Sequence, residues 1–252
     1  MTWGMPADRC RPWGAETSEL SLPGGRTVNE MRSALAVGGG RGHPVARFNH
    51  PAPMANPLDT ARYLLSAHVP RQLPVDEARE VAFAGRSNAG KSSALNALTR
   101  QNRLARTSKT PGRTQQLVYF EVAPARYLVD LPGYGYAKVP QDLREHWLAF
   151  INGYFQTRQS LAGLVVVMDI RHPLREYDLQ MLDYAAARSL PAHCLLTKAD
   201  KLGRGQQAQT LQAVRRDLAK RYGEGFSVQV FSSESKLGVD EAVGVIAGWL
   251  GL

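Results

Sequence analysis

The segment Gly85-Arg86-Ser87-Asn88-Ala89-Gly90-Lys91-Ser92 has the spacing GxxxxGKS, which suits the wrapping of a peptide backbone around phosphate. Its glycines let the main chain close on the anion, so that successive N–H groups and the start of the next helix point at it. Lys91 can then neutralise β- and γ-phosphate oxygens, and the Ser92 hydroxyl is a hard-oxygen ligand for Mg²⁺. Arg86, Ser87, Asn88 and Ala89 complete the loop. A glycine-rich turn without a ligand is the competing reading. It is disfavoured by the strand expected at Val81–Ala84 just before the loop and by the helix expected through Ala94, Leu95, Ala97 and Leu98 just after it.

Three further groups of residues carry related chemistry. Asp130-Leu131-Pro132-Gly133 closes an expected strand, placing a carboxylate where it can hold Mg²⁺ through a water and a Gly133 N–H where it can meet a γ-phosphate. Between this turn and the phosphate loop lies Thr107–Gln115, a polar stretch punctuated by Pro111 and Gly112 and suited to movement. Within it Thr114 is the candidate second Mg²⁺ ligand, engaged only when a γ-phosphate is present. Thr197-Lys198-Ala199-Asp200 and Phe231-Ser232-Ser233 close two later strands. A carboxylate at Asp200 accepts two hydrogen bonds from guanine N1–H and its amine, a donor pair adenine lacks, so this position selects G over A. The Lys198 stem can lie along the purine, and a backbone N–H around Ser232–Ser233 can donate to O6.

These groups need elements that bring them to one edge. From Glu80 onward apolar runs alternate with amphipathic stretches, which predicts strands at Val81–Ala84, Gln116–Glu121, Arg126–Asp130, Leu164–Asp169, His193–Thr197 and Val228–Phe231. Leu143, Trp147, Phe150, Ile151, Tyr154 and Phe155 form one helical stripe; Leu211, Val214, Leu218 and Tyr222 form a second, and Val239, Ala242, Val243 and Ile246 a third. The link through Pro124 reads as a hairpin. The expected fold is α/β: a three-layer P-loop NTPase architecture with a mostly parallel six-stranded sheet, one antiparallel edge strand and helices on both faces.

Residues 1–53 hold eight Gly and six Pro without a sustained period and are read as disordered. They are an RNA-binding arm through Arg9, Arg11, Arg26 and Arg41, or a non-native extension ahead of a start at Met54; the second reading is favoured, with 54–252 as the folded domain. Lys and Arg outnumber Asp and Glu by 31 to 22, a net charge of +9, of which +7 lies in residues 54–252. A polyanionic partner is therefore expected. Cys10 and Cys194 have no disulfide or zinc spacing, which fits a reducing cytoplasm, and no run approaches the roughly 20 apolar residues of a membrane helix.

These segments in this order resemble the EngB (YihA/YsxC) family of bacterial GTP-binding proteins, within the TrmE-Era-EngA-EngB-septin-like superfamily. The narrowing rests on Gly85–Ser92, Lys109-Thr110-Pro111-Gly112-Arg113-Thr114-Gln115, Asp130-Leu131-Pro132-Gly133-Tyr134-Gly135-Tyr136-Ala137 and Thr197–Asp200. The resemblance implies GTP and GDP as ligands, with Gly112, Arg113, Gln115 and Gln116 added to the nucleotide contacts and Lys91, Thr114 and Gly133 as the catalytic groups. It also implies a monomer that acts in large ribosomal subunit assembly, with ribosomal RNA among its contacts, and that is needed for cell division and septation. Ser232-Ser233-Glu234-Ser235 departs from the commonest Ser-Ala-Lys triplet, which shifts the base contact onto backbone donors. Tyr134 stands where many small GTPases carry a water-positioning glutamine, so slow turnover is expected. Asn88 occupies the position at which potassium-responsive relatives carry asparagine, making K⁺ a candidate second cation; the alternative is that Asn88 only shapes the loop. Whether hydrolysis is the chemical output or the reset step of a ribosome-binding switch stays open at this level.

Overall fold

The computed structural model describes residues 55–105, 116–133 and 141–252, with 141–148 as backbone. All lie in the compact unit Pro53–Leu252. The readings made for residues 1–53, for Thr107–Gln115 and for Tyr134 fall outside the described residues.

The strands are β1 (Arg62–Ala67), β2 (Arg79–Gly85), β3 (Leu117–Ala123), β4 (Arg126–Asp130), β5 (Leu161–Asp169), β6 (Ala192–Thr197) and β7 (Phe226–Val230). The helices are α1 (Lys91–Leu98), α2 (Gln141–Thr157), α3 (Glu176–Ala187), α4 (Arg204–Tyr222) and α5 (Val239–Leu250). One seven-stranded sheet has the order β1-β3-β4-β2-β5-β6-β7. Strands β4, β2, β5, β6 and β7 pair in parallel, whereas β3 runs antiparallel to both β4 and β1.

All six expected strands are present, and β1 is a seventh that lies outside β3. Its sequence, Arg-Tyr-Leu-Leu-Ser-Ala, does not alternate, and a register shift between Tyr63 and Leu65 interrupts its pairing. Pairing with β3, rather than local pattern, makes it a strand.

The parallel strands are buried on both faces because their residues alternate between two cores. Along β2, Val81 and Phe83 join one core with Leu95, Val243 and Ile246 from α1 and α5. Ala82 and Ala84 join the other with Ile151, Leu182 and Leu218 from α2, α3 and α4. The chain turns from β2 to β3 and β4 on one side, then crosses back to β5, β6 and β7 on the other. The order reverses at β2, and a crevice opens there beyond the carboxyl ends of the strands.

At the opposite end of β2, Glu80 is fully buried. Its Oε1 accepts from Arg158 Nε at 3.1 Å and Nη2 at 2.5 Å, and its Oε2 accepts from the hydroxyls of Tyr154 at 2.9 Å and Tyr119 at 3.3 Å. The second guanidinium nitrogen of Arg158 donates to the Pro74 carbonyl at 2.8 Å. A buried charge costs several kcal/mol unless paired and bonded throughout; this one is. Burial, and then the Glu80 charge, pushes the Tyr154 hydroxyl well above its ordinary pKa.

Candidate functional site

The loop that leaves β2 at Gly85 runs directly into α1, whose first residues are Lys91 and Ser92. Gly90 caps that helix at φ 98°, a left-handed conformation in which a side chain would be strained. Asn88 is also left-handed, at φ 63°, and the Ala89 N–H closes a turn onto the Arg86 carbonyl at 3.0 Å. Two consecutive reversals of this kind bend the backbone into a concave arc ahead of a helix N-terminus, the form that presents N–H groups to an anion.

Asp130 ends β4 next to this arc, and its Oδ1 accepts from the Lys91 ammonium; the two side chains are 16% and 11% exposed. Leu131 donates its N–H to the Phe83 carbonyl at 3.0 Å, carrying the turn Leu131-Pro132-Gly133 against β2. A side chain on Gly133 would meet the backbone of Ser87 at 3.5 Å, so this turn passes beside the phosphate loop with room for little more than a methyl group between them.

The segment Thr197–Asp200, expected to read the base, is tied to the same loop. The Thr197 hydroxyl, at the end of β6, lies 2.5 Å from the Ala89 carbonyl and 2.9 Å from that of Met168. Lys198 adopts φ 58°, a strained conformation for a lysine, and its ammonium donates to the Asn88 carbonyl at 2.6 Å and to Asp169 Oδ2 at 3.0 Å. Asp200 lies in the short turn Ala199–Lys201; its Oδ1 accepts from the Ser232 hydroxyl at 2.6 Å, and Lys201 is 3.0 Å from its Oδ2. Ser232 and then Lys201 hold the Asp200 carboxyl below the usual carboxylate range. It is therefore charged and oriented as an acceptor at neutral pH.

The loop after β7 is equally constrained. Phe231 donates its N–H to the Leu196 carbonyl at 2.9 Å and accepts from Ala199 at 3.2 Å, joining the ends of β6 and β7. Ser232 donates its own N–H to the Leu237 carbonyl at 3.0 Å, and its hydroxyl accepts from the Ser235 N–H at 3.1 Å. Of the two backbone donors expected here, Ser232 is thus committed to its own loop, which narrows the expectation to Ser233.

The structure brings Gly85–Ser92, Asp130–Gly133, Thr197–Asp200 and Phe231–Ser233 to one edge of the sheet. Gln116 immediately precedes β3; Gly112, Arg113, Thr114 and Gln115 lie outside the described residues. Sequence reasoning missed Asp169, which closes β5 and whose carboxylate is shared by Lys198 and Arg171, the latter at 2.6 Å. Arg171, and after it Lys198, hold this carboxyl well below the usual range. The available signal was its place: an acid at the carboxyl end of a parallel strand, two residues before an arginine.

A phosphate loop at the switch point of a mostly parallel sheet, hydrogen-bonded to the segment expected to read the base, on which the Asp200 carboxylate is held oriented, defines a P-loop GTPase. Residues 80–198 match a family model described as a 50S ribosome-binding GTPase. The chain is 72% identical over 195 residues to the probable GTP-binding protein EngB of Xanthomonas campestris pv. campestris, covering 77% of this chain and 94% of that protein. It is 71% identical over 199 residues to the protein of the same name from Xylella fastidiosa, covering 79% and 98%. A crystal structure of a probable GTP-binding protein EngB superposes with a TM-score of 0.54 at 19% identity, over 68% of this chain and 98% of that one, a likeness of fold. This chain belongs to the EngB family of GTP-binding proteins. Among the described residues no helix is long and apolar enough to cross a membrane.

Proposed function

We propose that this chain is a cytoplasmic, Mg²⁺-dependent GTPase of slow intrinsic turnover whose nucleotide state governs its attachment to the large ribosomal subunit during assembly, and that normal cell division and septation depend on it. The observation that carries the nucleotide reading is the direct bonding of the phosphate loop to the guanine-reading segment through Thr197 and Lys198. The ribosomal reading is supported by the family described over residues 80–198 and by the net charge of +9.

The division of labour follows from the chemistry of the groups. Loop N–H groups and the α1 N-terminus take the phosphates, Lys91 neutralises β/γ oxygens, and the Gly133 N–H takes a γ oxygen. The Ser92 hydroxyl and the Asp130 carboxylate, on adjoining elements, are an all-oxygen donor set that fits Mg²⁺, which keeps several waters and needs few protein ligands. Ser92 and Thr114 would be the direct ligands, with Asp130 acting through a water. Mg²⁺ held there would supply charge neutralisation at the phosphates. Asp200 and the Ser233 N–H read the guanine edge while Lys198 covers its face. Tyr134 after Gly133 supplies no water-orienting amide, so the charge of Lys91 and the backbone donors carry the rate and turnover is slow. Asn88 is the candidate to hold K⁺ as a further positive charge beside the phosphates.

Co-sedimentation of the full chain with large ribosomal subunits in GTP, GDP and no nucleotide tests the switch. Association several-fold stronger in one nucleotide state is expected. Equal pelleting in all three conditions would reduce the protein to a GTPase without a nucleotide-gated ribosomal attachment.

A further inference from the structure

Four cations at the nucleotide edge and in the core have carboxylate partners: Lys91 with Asp130, Lys198 and Arg171 with Asp169, Arg158 with Glu80. Helix α4 differs. Arg204, Arg215, Arg216, Lys220 and Arg221 are all exposed, and among the described residues none of them takes part in an ion pair. With Asp217 as its one acid, this 19-residue helix has a net charge of +4, more than half of the +7 in residues 54–252.

Helix stability does not explain the distribution. Cations in the last turn, Lys220 and Arg221, complement the helix dipole, but Arg204 sits in the first turn, where the dipole opposes it, and Arg215 and Arg216 lie between. Packing does not explain it either, because α4 meets the sheet through Leu211, Val214, Leu218 and Tyr222. A rotation of roughly 100° per residue puts Arg216 and Lys220 opposite that stripe, one turn and about 6 Å apart along the axis, with Arg215 and Arg221 on its two flanks. The other exposed positions of α4, apart from Asp217, hold only Gly, Ala and Gln. A protein partner is gripped by aromatic and aliphatic anchors that this face lacks, whereas a regularly charged polyanion needs only such cations and amides. Gln207 fixes the helix to the base-reading turn, donating to the carbonyls of Ala199 at 2.8 Å and Leu202 at 2.9 Å, so the face is presented rigidly.

We infer that the outward face of α4 is an RNA-binding surface on which Arg216 and Lys220 contact backbone phosphates, with Arg215 and Arg221 adding positive charge from the flanks of the helix. The inference rests on the proposed ribosomal attachment and names the part of the molecule that makes it. Contacts of this kind read charge and shape, not sequence, and are strongly salt-dependent.

The test is equilibrium binding of the full chain to RNA extracted from large ribosomal subunits, to their RNA-free protein fraction, and to intact subunits, across a series of KCl concentrations. The proteins compared are the native chain, Arg216→Gln/Lys220→Gln, and Arg71→Gln/Arg103→Gln, which removes equal charge from exposed positions elsewhere. GTP titration of each verifies the fold. Losing two phosphate contacts should lower the slope of log K against log salt by roughly 1.5, at about 0.7 to 0.9 per contact, while the Arg71/Arg103 pair leaves it unchanged. An unaltered slope in the α4 pair, an equal loss in both pairs, or no RNA binding by the native chain would each overturn the inference. So would a loss confined to binding of the RNA-free ribosomal protein fraction, which would make α4 a protein dock. If the native chain binds the free RNA through α4 but not intact subunits, this inference survives and the ribosomal reading fails; if subunit binding is intact in the α4 variant, the reverse holds.

Discussion

In the proposed reading base choice turns on Asp200, whose carboxylate is held charged and oriented by the Ser232 hydroxyl at 2.6 Å. An Asp200→Asn variant loses the acceptor for guanine's two donors, while its amide can donate to the carbonyl that xanthine carries in place of the amine. Competition between GTP and XTP should shift toward XTP by at least tenfold, equivalent to about 1.4 kcal/mol or more; a variant that still prefers GTP would remove Asp200 from the base site. Asn88 is tested by its proposed ion. Its carbonyl already receives Lys198, so its side-chain amide is the group to probe. GTP turnover should be faster in K⁺ than in Na⁺ or Cs⁺ at equal ionic strength, and Asn88→Ala should abolish the difference. Equal rates in the three salts would mean that Asn88 only shapes the loop.

At the scale of the elements, β5 and α5 meet at a position that leaves no room for a side chain. A side chain at Gly163 would lie 2.2 Å from Cε3 of Trp249, so the indole ring occupies the space a Cβ would take. Gly163→Ala must displace that ring, and overpacking of this kind costs about 1 to 3 kcal/mol. Thermal unfolding should show a Tm several degrees lower, with GTP affinity retained, since Gly163 lies near the amino end of β5 and the site is at the carboxyl end. An unchanged Tm would mean that Trp249 swings away at no cost. Lys198 teaches a related lesson, because its left-handed φ of 58° is sustained by the Asn88 carbonyl and by Asp169. A residue on β5 thereby positions a residue after β6 over a loop that follows β2.

For the molecule as a whole, stability should fall on the acid side in two stages. His193 is buried between Ser227 Oγ at 2.7 Å from Nδ1 and Gln229 Oε1 at 2.8 Å from Nε2, and burial pushes its pKa down against weaker opposing effects of Gln229 and Glu241. Unfolding lets it take a proton, so its stabilising contribution is full above the unfolded value of about 6.5 and declines as pH falls below it. Asp169 and Asp200 are held low in the fold, so their contributions are full above the ordinary carboxylate value of about 4 and decay as pH falls further. A Tm profile against pH should bend first near 6.5 and steepen below about 4. His193→Asn should remove the first bend, and a native profile flat down to the carboxylate range would show that His193 is not linked to folding.

The order of the motifs and the alternation of apolar runs determined the P-loop architecture, six of the seven described strands and the gathering of Gly85–Ser92, Asp130 and Asp200 at one sheet edge. These are local signals, since a phosphate loop is a contiguous stretch and a half-turn of polarity per residue marks a strand wherever it pairs. Other features were decided only in three dimensions. Strand β1 exists because β3 offers it an edge, and Glu80 is a fully buried charge because Arg158, Tyr154 and Tyr119 converge on it from three other segments. Ser232 spends its N–H within its own loop and its hydroxyl on Asp200, which no spacing in the sequence announces. Asp169 acquires its role from two cations, one of them Lys198, 29 residues away. In each case the deciding partner is remote along the chain, and the balance of desolvation against hydrogen bonding that fixes such a group is set only when the chain closes around it.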